Sequence, residues 1–283
     1  MSQHTALSNK QLDAFTSKVL SEGRKHYREF AWRSTRDPYA ILLSEVMLQQ
    51  TQVARVVSYY ERWLKLFPSI DALAAADTAE VLTAWQGLGY NRRALALKRL
   101  ADEISEGKDG ILPDLFDELL KLPGVGPATA AGVMIFAHNN FAPYLETNVR
   151  SVVLHEVFTQ ENEVCDKEVM AVVKQAAEYV QASGSADART WTYALMDYGI
   201  WLKKAFPNPS RRSKQHTKQS RFEGSFRQKR AQLLREILAR PHQDRAELAS
   251  SCNIGLAETE KALDALLQEG FIQCDNGRYA VAN

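Results

Sequence analysis

Leu119–Val153 is the stretch that most limits what this chain can fold into. Leu119, Leu120 and Leu122 finish one helix, and Pro123, Gly124 and Gly126 forbid its continuation, because proline lacks the backbone donor and glycine favours turn geometry. Pro127 suits the first turn of a second helix. Two helices joined by Gly-Val-Gly form a tight hairpin whose exposed N–H groups, helped by the second helix's dipole, can hold a phosphate oxygen. Such a grip takes a nucleic-acid backbone without base preference. A bare Gly-x-Gly corner with no ligand is the plainer reading, and the context decides between them.

Twenty positions after Gly126 stands Glu146, followed by an amphipathic run with Val149, Val152, Val153 and Val157 at helical spacing. With Thr147 or Asn148 as N-cap, the Glu146 carboxylate sits at a helix start, where the dipole favours its ionised form. A charged acid beside a phosphate grip suits the stabilisation of positive charge on a sugar. A second carboxyl lies earlier. Asp37-Pro38 reads as N-cap and first residue of a helix running to about Val57, on which Ile41, Leu42, Glu45, Leu48 and Gln49 share one face. Glu45 therefore falls within the apolar stripe, where desolvation raises a carboxyl pKa towards the range a general acid needs. Its plainer reading is a helix Glu paired with Arg55 or another neighbour.

These residues carry a resemblance. Leu122-Pro-Gly-Val-Gly126 followed by an acid about twenty positions on resembles the helix–hairpin–helix DNA glycosylases, the superfamily of endonuclease III and adenine glycosylase MutY. Trp32-Arg33, Pro38-Tyr39, Leu43-Ser-Glu-Val-Met-Leu-Gln-Gln-Thr-Gln-Val53 and Trp85-Gln-Gly-Leu-Gly-Tyr90 are similar to the MutY-like adenine glycosylase branch, and with Met196-Asp-Tyr-Gly199 the likeness spans roughly residues 29–199. It implies an all-α, two-lobed helix–hairpin–helix glycosylase fold. The expected lobes are 1–30 with 141–206, and 31–140 with the hairpin, the cleft lying between them. It implies an enzyme that flips a nucleotide from duplex DNA. Glu45 would protonate the departing base at a purine N7, Glu146 would stabilise the sugar cation, Asn148 would orient, and water would complete hydrolysis. Gln49, one turn past Glu45 on the same face, would wedge into the stack with Gln50 and Thr51 beside it. Tyr90 would support the opposite strand, and Gly124, Val125, Gly126 and Thr129 would hold phosphate.

Two departures from the family bear on chemistry. Glu146 stands where the family usually has Asp, and Ala128 stands where lyase-active relatives carry a Schiff-base lysine, so a monofunctional enzyme is expected. A third bears on cofactors. Relatives often follow Met-Asp-x-Gly with four closely spaced cysteines for an iron–sulfur cluster, whereas Gly199 is followed here by Ile-Trp-Leu-Lys-Lys-Ala-Phe-Pro-Asn-Pro-Ser-Arg-Arg. The three cysteines, Cys165, Cys252 and Cys274, are odd in number and widely spaced, which argues against a disulfide framework and a clustered metal site. No cluster, metal or other cofactor is expected. Adenine opposite 8-oxoguanine or guanine is the first substrate. Thymine or uracil opposite guanine, or hypoxanthine, comes second, and a non-catalytic DNA-binding protein is the alternative from another class.

A net charge of +1 looks small for a DNA-binding protein until it is resolved along the chain. Between Lys203 and Arg235 eleven Lys or Arg face the single acid Glu223, and Arg211, Arg212 and Lys214 lie within this run as candidate phosphate contacts. A solvated basic linker is the plainer reading. Residues 207–225 read as that linker, with the polar start up to Asn9 frayed. Residues 226–283 read as a winged-helix-like module: helices over 226–240, 244–251 and 256–269, then a hairpin through Asp275-Asn-Gly277. Such modules commonly bind DNA; protein binding is the plainer role. No apolar run approaches about 18 residues and no secretory signal is evident, so the expectation is a monomer in the cytoplasm, at the nucleoid, without a membrane partner.

Overall fold

The computed structural model describes residues 6–107, 110–215 and 221–282. Residues 1–5, most of the polar start, and 216–220, within the expected linker, lie outside them. In chain order the helices are α1 Asn9–Lys25, α2 Ala31–Ser34, α3 Pro38–Leu48, α4 Val53–Leu66, α5 Ile70–Ala75, α6 Thr78–Trp85, α7 Arg92–Gly107 and α8 Phe116–Leu119. There follow α9 Pro127–Phe136, α10 Thr147–Glu156, α11 Asp166–Ser183, α12 Ala188–Ala205, a 3-10 turn at Pro209–Arg212, and α13 Phe226–Ala239. Last come β1 Gln243–Asp244, α14 Arg245–Cys252, α15 Leu256–Gln268, β2 Ile272–Asp275 and β3 Arg278–Val281. The described residues are thus mostly helical, with one small sheet near the C-terminus.

The helix expected over 38–57 is two helices. Leu48 ends α3, Gln50 takes φ 54°, and α4 begins at Val53. No proline or glycine makes this break. The buried Arg93 guanidinium on α7 donates to Met47 O at 3.1 Å, Gln49 O at 2.8 Å and Thr51 Oγ1 at 3.1 Å, taking over carbonyls that a helix end leaves without partners.

The chain divides into two compact units, residues 1–46 with 112–218 and residues 47–111 with 219–283. The first is centred on α12, which packs on α1 and α10, and Val19, Trp191, Leu195 and Val152 of these helices are buried. Asp197 of α12 is buried, and Arg33 holds it with two bonds, at 2.6 and 3.0 Å, while Arg28 adds a third at 2.8 Å. Buried charge needs such pairing. This joins the Trp32-Arg33 and Met196-Asp197 motifs as one structural bond.

In the second unit Trp63 and Trp85 meet edge to face, 5.3 Å between centroids, at the centre of α4–α7. Its C-terminal segment follows the winged-helix order with a core of Leu234, Ile237, Leu248, Leu263, Leu266 and Phe271. The sheet order is β1-β3-β2, antiparallel throughout, and Asn276 and Gly277 close the expected hairpin in left-handed conformations. The two-residue β1 adds a strand beyond the expected pair; it is too short to show alternation in the sequence.

Candidate active site

The hairpin is built as its residues dictate. Gly124 turns the chain at φ 74°, Val125 N donates to Leu122 O at 3.2 Å, and Gly126 is the N-cap of α9 without any side-chain acceptor for the first-turn N–H groups. Those donors suit an anion. Val125 and Thr129 are both buried, at 7 % and 3 % exposure, so any phosphate contact at these two positions is through backbone.

Further along α9, Gly132 meets Glu45. A Cβ at Gly132 would lie 2.3 Å from Glu45 Oε2, so the hairpin's second helix seats the carboxyl by leaving room for it. The Tyr144 hydroxyl donates to the same oxygen at 3.1 Å, and its ring is held edge-on by Phe136 of α9 at 5.6 Å. Burial pushes Glu45 up to about 8. The Tyr144 bond opposes that rise, and the charge of Glu146 adds to it.

Glu146, not Thr147 or Asn148, is the N-cap of α10. Its Oε1 accepts from Asn148 N at 2.8 Å and Val149 N at 3.0 Å, and Oε2 accepts from Asn148 Nδ2 at 2.9 Å. The helix start favours the ionised form as expected, but burial outweighs those donors and raises the pKa. Lys203 on α12 also favours the charged form. Lys203 is half-buried, and desolvation lowers its own pKa. Asn148 is positioned through α12: a Cβ at Gly199 would lie 2.2 Å from Asn148 O, so only glycine lets the two helices approach this closely. Asn148 Oδ1 is buried without a hydrogen-bond partner, an acceptor aimed at something the chain does not supply.

The remaining candidates are in the second unit. Gln49 and Gln50 are exposed in the turn after α3, so Gln49 does not continue the Glu45 helical face. Tyr90, 39 % exposed at φ 51°, ends a second turn. Arg93 ties the two turns together by donating also to Gly89 O at 2.9 Å, and Trp85 Nε1 donates to Gly89 O at 3.0 Å.

Arg212 is not a free phosphate contact. Its guanidinium donates to Glu161 O at 3.1 Å and to Leu154 O and Phe158 O, binding carbonyls at and beyond the end of α10. Arg211 and Lys214 are exposed. The three cysteines are free, and among the described residues no group of three or more His, Cys, Asp or Glu could hold a metal. No helix among them is long and apolar enough to cross a membrane. Tyr144, Gly132, Arg93 and Lys203 are the site residues whose roles sequence reasoning missed. Gly132, a glycine inside a helix, was the one with a visible signal.

Residues 43–179 match the family described as HhH-GPD superfamily base excision DNA repair protein. Adenine DNA glycosylase of Mycobacterium tuberculosis (strain ATCC 25618 / H37Rv) is 33 % identical over 285 residues, covering 93 % of this chain and 92 % of that protein. The Mycolicibacterium smegmatis adenine DNA glycosylase is 33 % identical over 283 residues, covering 90 % and 92 %. Among solved structures, a thermostable thymine-DNA glycosylase aligns with TM-score 0.59 and 27 % identity over 68 % of this chain and 87 % of that one. A trapped endonuclease III–DNA covalent intermediate aligns at TM-score 0.53 and 21 % identity over 69 % and 86 %, a likeness of fold. With its hairpin, its two carboxyls and near-full-length relatives, the chain belongs to the HhH-GPD superfamily of base excision DNA repair proteins.

Proposed function

We propose that this protein hydrolyses the N-glycosidic bond of adenine opposite 8-oxoguanine or guanine in double-stranded DNA, as a monofunctional enzyme. The observation that carries the chemistry is the Glu45 carboxyl, pushed up to about 8 in the presence of a second buried acid held by three donors. Two carboxyls with separated acidities can divide an acid and a charge-stabilising role. Glu45 is protonated at neutral pH and donates to the departing purine. Glu146, fixed on the α10 N-terminus with Lys203 nearby, stabilises the oxocarbenium-like sugar. Asn148 Oδ1, the orphan acceptor, accepts from the attacking water. Asn148 and Val149 hold the carboxylate of the longer Glu146 back against the helix.

Adenine is chosen because the near-full-length relatives are adenine DNA glycosylases. The thymine-DNA glycosylase likeness favours thymine opposite guanine as the second reading. The protein works as a monomer at the nucleoid, without an iron–sulfur cluster: Lys203 and its neighbours follow Gly199 where clustered cysteines would be required.

The test is single-turnover incubation with end-labelled duplexes, each carrying one mispair or lesion, then alkali to reveal abasic sites. Cleavage of the adenine:8-oxoguanine duplex, lost in Glu45→Gln, is expected. Cleavage confined to thymine:guanine moves the assignment to the second reading. Borohydride trapping of a protein–DNA adduct contradicts monofunctional hydrolysis, and no cleavage of any duplex contradicts the enzymatic reading.

A further inference from the structure

Resting on the DNA-repair reading above, we infer that the C-terminal module and the end of the linker before it meet DNA through Phe222, Arg227 and Arg235, which wall a groove with Arg55 and Tyr90, and not through α15. A winged-helix module ordinarily presents a recognition helix to DNA, and α15 is the third helix of this one. Its charge is wrong for that. Between Leu256 and Gln268 it carries Glu258, Glu260 and Asp264 against Lys261 alone, and Glu269 follows. Polyanionic DNA would meet carboxylates there.

The α13 side of the module is different. α13 packs against α6, and Glu269 accepts from Arg92 Nε at 2.7 Å and from Arg230, so the module is fixed to α7. This docking leaves a groove of about 490 Å³ between the start of α13 and the two turns that hold Gln50 and Tyr90. Among the described residues no carboxylate lines it, whereas Arg55, Arg227 and Arg235 do. Phe222 is 52 % exposed and Tyr90 39 % exposed on its walls, and Arg93 lies over the Tyr90 ring at 5.4 Å. Arg227 lies over the Phe222 ring at 6.0 Å.

Guanidinium groups interleaved with exposed aromatic rings, in a groove free of acids, match a nucleic-acid strand: phosphate on the arginines, base on the rings. A peptide would have to be acidic to face three arginines, and it would offer the rings nothing that a base does not. The groove is also continuous with the Gln50 turn, which follows the end of α3, the helix that carries Glu45. It therefore extends the surface that the glycosylase reading already assigns to DNA. The module then lengthens the footprint and is not a separate arm.

The test measures binding, so it does not depend on catalysis. The full chain is titrated by fluorescence anisotropy against a duplex carrying a tetrahydrofuran abasic analogue opposite guanine, and against a fully paired duplex, over a range of KCl concentrations. Each lost phosphate contact lowers the slope of log K against log salt by about 0.9. Arg227→Ala/Arg235→Ala is expected to lower it by about 1–2 and to weaken binding about tenfold, while Arg227→Lys/Arg235→Lys keeps the slope. Phe222→Ala is expected to keep the slope and lose about tenfold of the preference for the abasic duplex. Lys261→Ala on α15 is expected to change neither. An unchanged slope in the double alanine variant, or an equal loss in Lys261→Ala, overturns the inference. Wild-type protein that binds neither duplex overturns the DNA-repair reading as well.

Discussion

Glu45 shows how one residue acquires a function from its surroundings. Its pKa of about 8, against an ordinary 4.5, means that between those values the folded chain binds a proton the unfolded chain has released. Stability therefore falls as pH rises through that window and is level on either side. Glu45→Gln lacks this dependence. The variant is expected to melt progressively above wild type from pH 5 to pH 8, the gap widening by up to about 1.4 kcal/mol per pH unit, while excision is lost. Parallel melting curves at all pH values would show that Glu45 is not desolvated. The opposite sign holds for the acid limb of excision. Glu146 must be ionised to stabilise a cation, and Lys203 favours that form; the other ionisable groups acting with it are Glu45 and Tyr144. Lys203→Met removes the cation, raises Glu146 further, and is expected to move the acid limb to higher pH without moving the alkaline limb set by Glu45. Lys203→Arg should restore it. A uniform drop in rate at every pH would instead mark Lys203 as structural.

At the scale of elements, two glycines separate catalysis from folding. A Cβ at Gly132 meets the Glu45 side chain, Oε2 at 2.3 Å and Cγ at 2.8 Å, which can give more readily than backbone, so Gly132→Ala is expected to displace the carboxyl, lower excision about 100-fold and cost less stability than Gly199→Ala. A Cβ at Gly199 meets Asn148 backbone O at 2.2 Å and C at 2.7 Å, which cannot yield, so Gly199→Ala is expected to cost about 1–3 kcal/mol of stability in denaturant unfolding. Equal effects of both on stability would sink the distinction. The helices, the hairpin turn and the terminal β-hairpin were legible because periodicity and Gly-Pro punctuation are local. The break at Gln49–Gln52 was not, since Arg93, distant in sequence, makes it. Arg212 misled for the same reason: charge is visible in sequence, but the carbonyls that take up this guanidinium are not. For Glu146 the cap was half legible, and its burial, which decides its acidity, was not.

Across the whole molecule, the chain passes between its two compact units at 46/47, 111/112 and 218/219, so neither is a continuous stretch. Glu45, Tyr144, Glu146, Asn148 and Lys203 all belong to the first unit, and the C-terminal module belongs wholly to the second. Within the second unit, α4–α7 keep a core of their own around Trp63 and Trp85, and the module keeps another around Leu234 and Phe271. The ion pair of Glu269 with Arg92 joins them near the surface, where such a pair contributes only about 0–1 kcal/mol, beside a small packing contact of α13 on α6. A chain ended after Gln215 should therefore still fold, melting a few degrees lower. If the module contributes footprint and not chemistry, the shortened protein binds DNA at least about tenfold more weakly, and its single-turnover excision rate at saturating protein stays within about threefold of the full chain. Calorimetry and a concentration series of single-turnover reactions read both quantities. A shortened protein that folds, saturates its DNA and still fails to excise would place part of the chemistry in the module, because no residue of the Glu45 and Glu146 site has been removed.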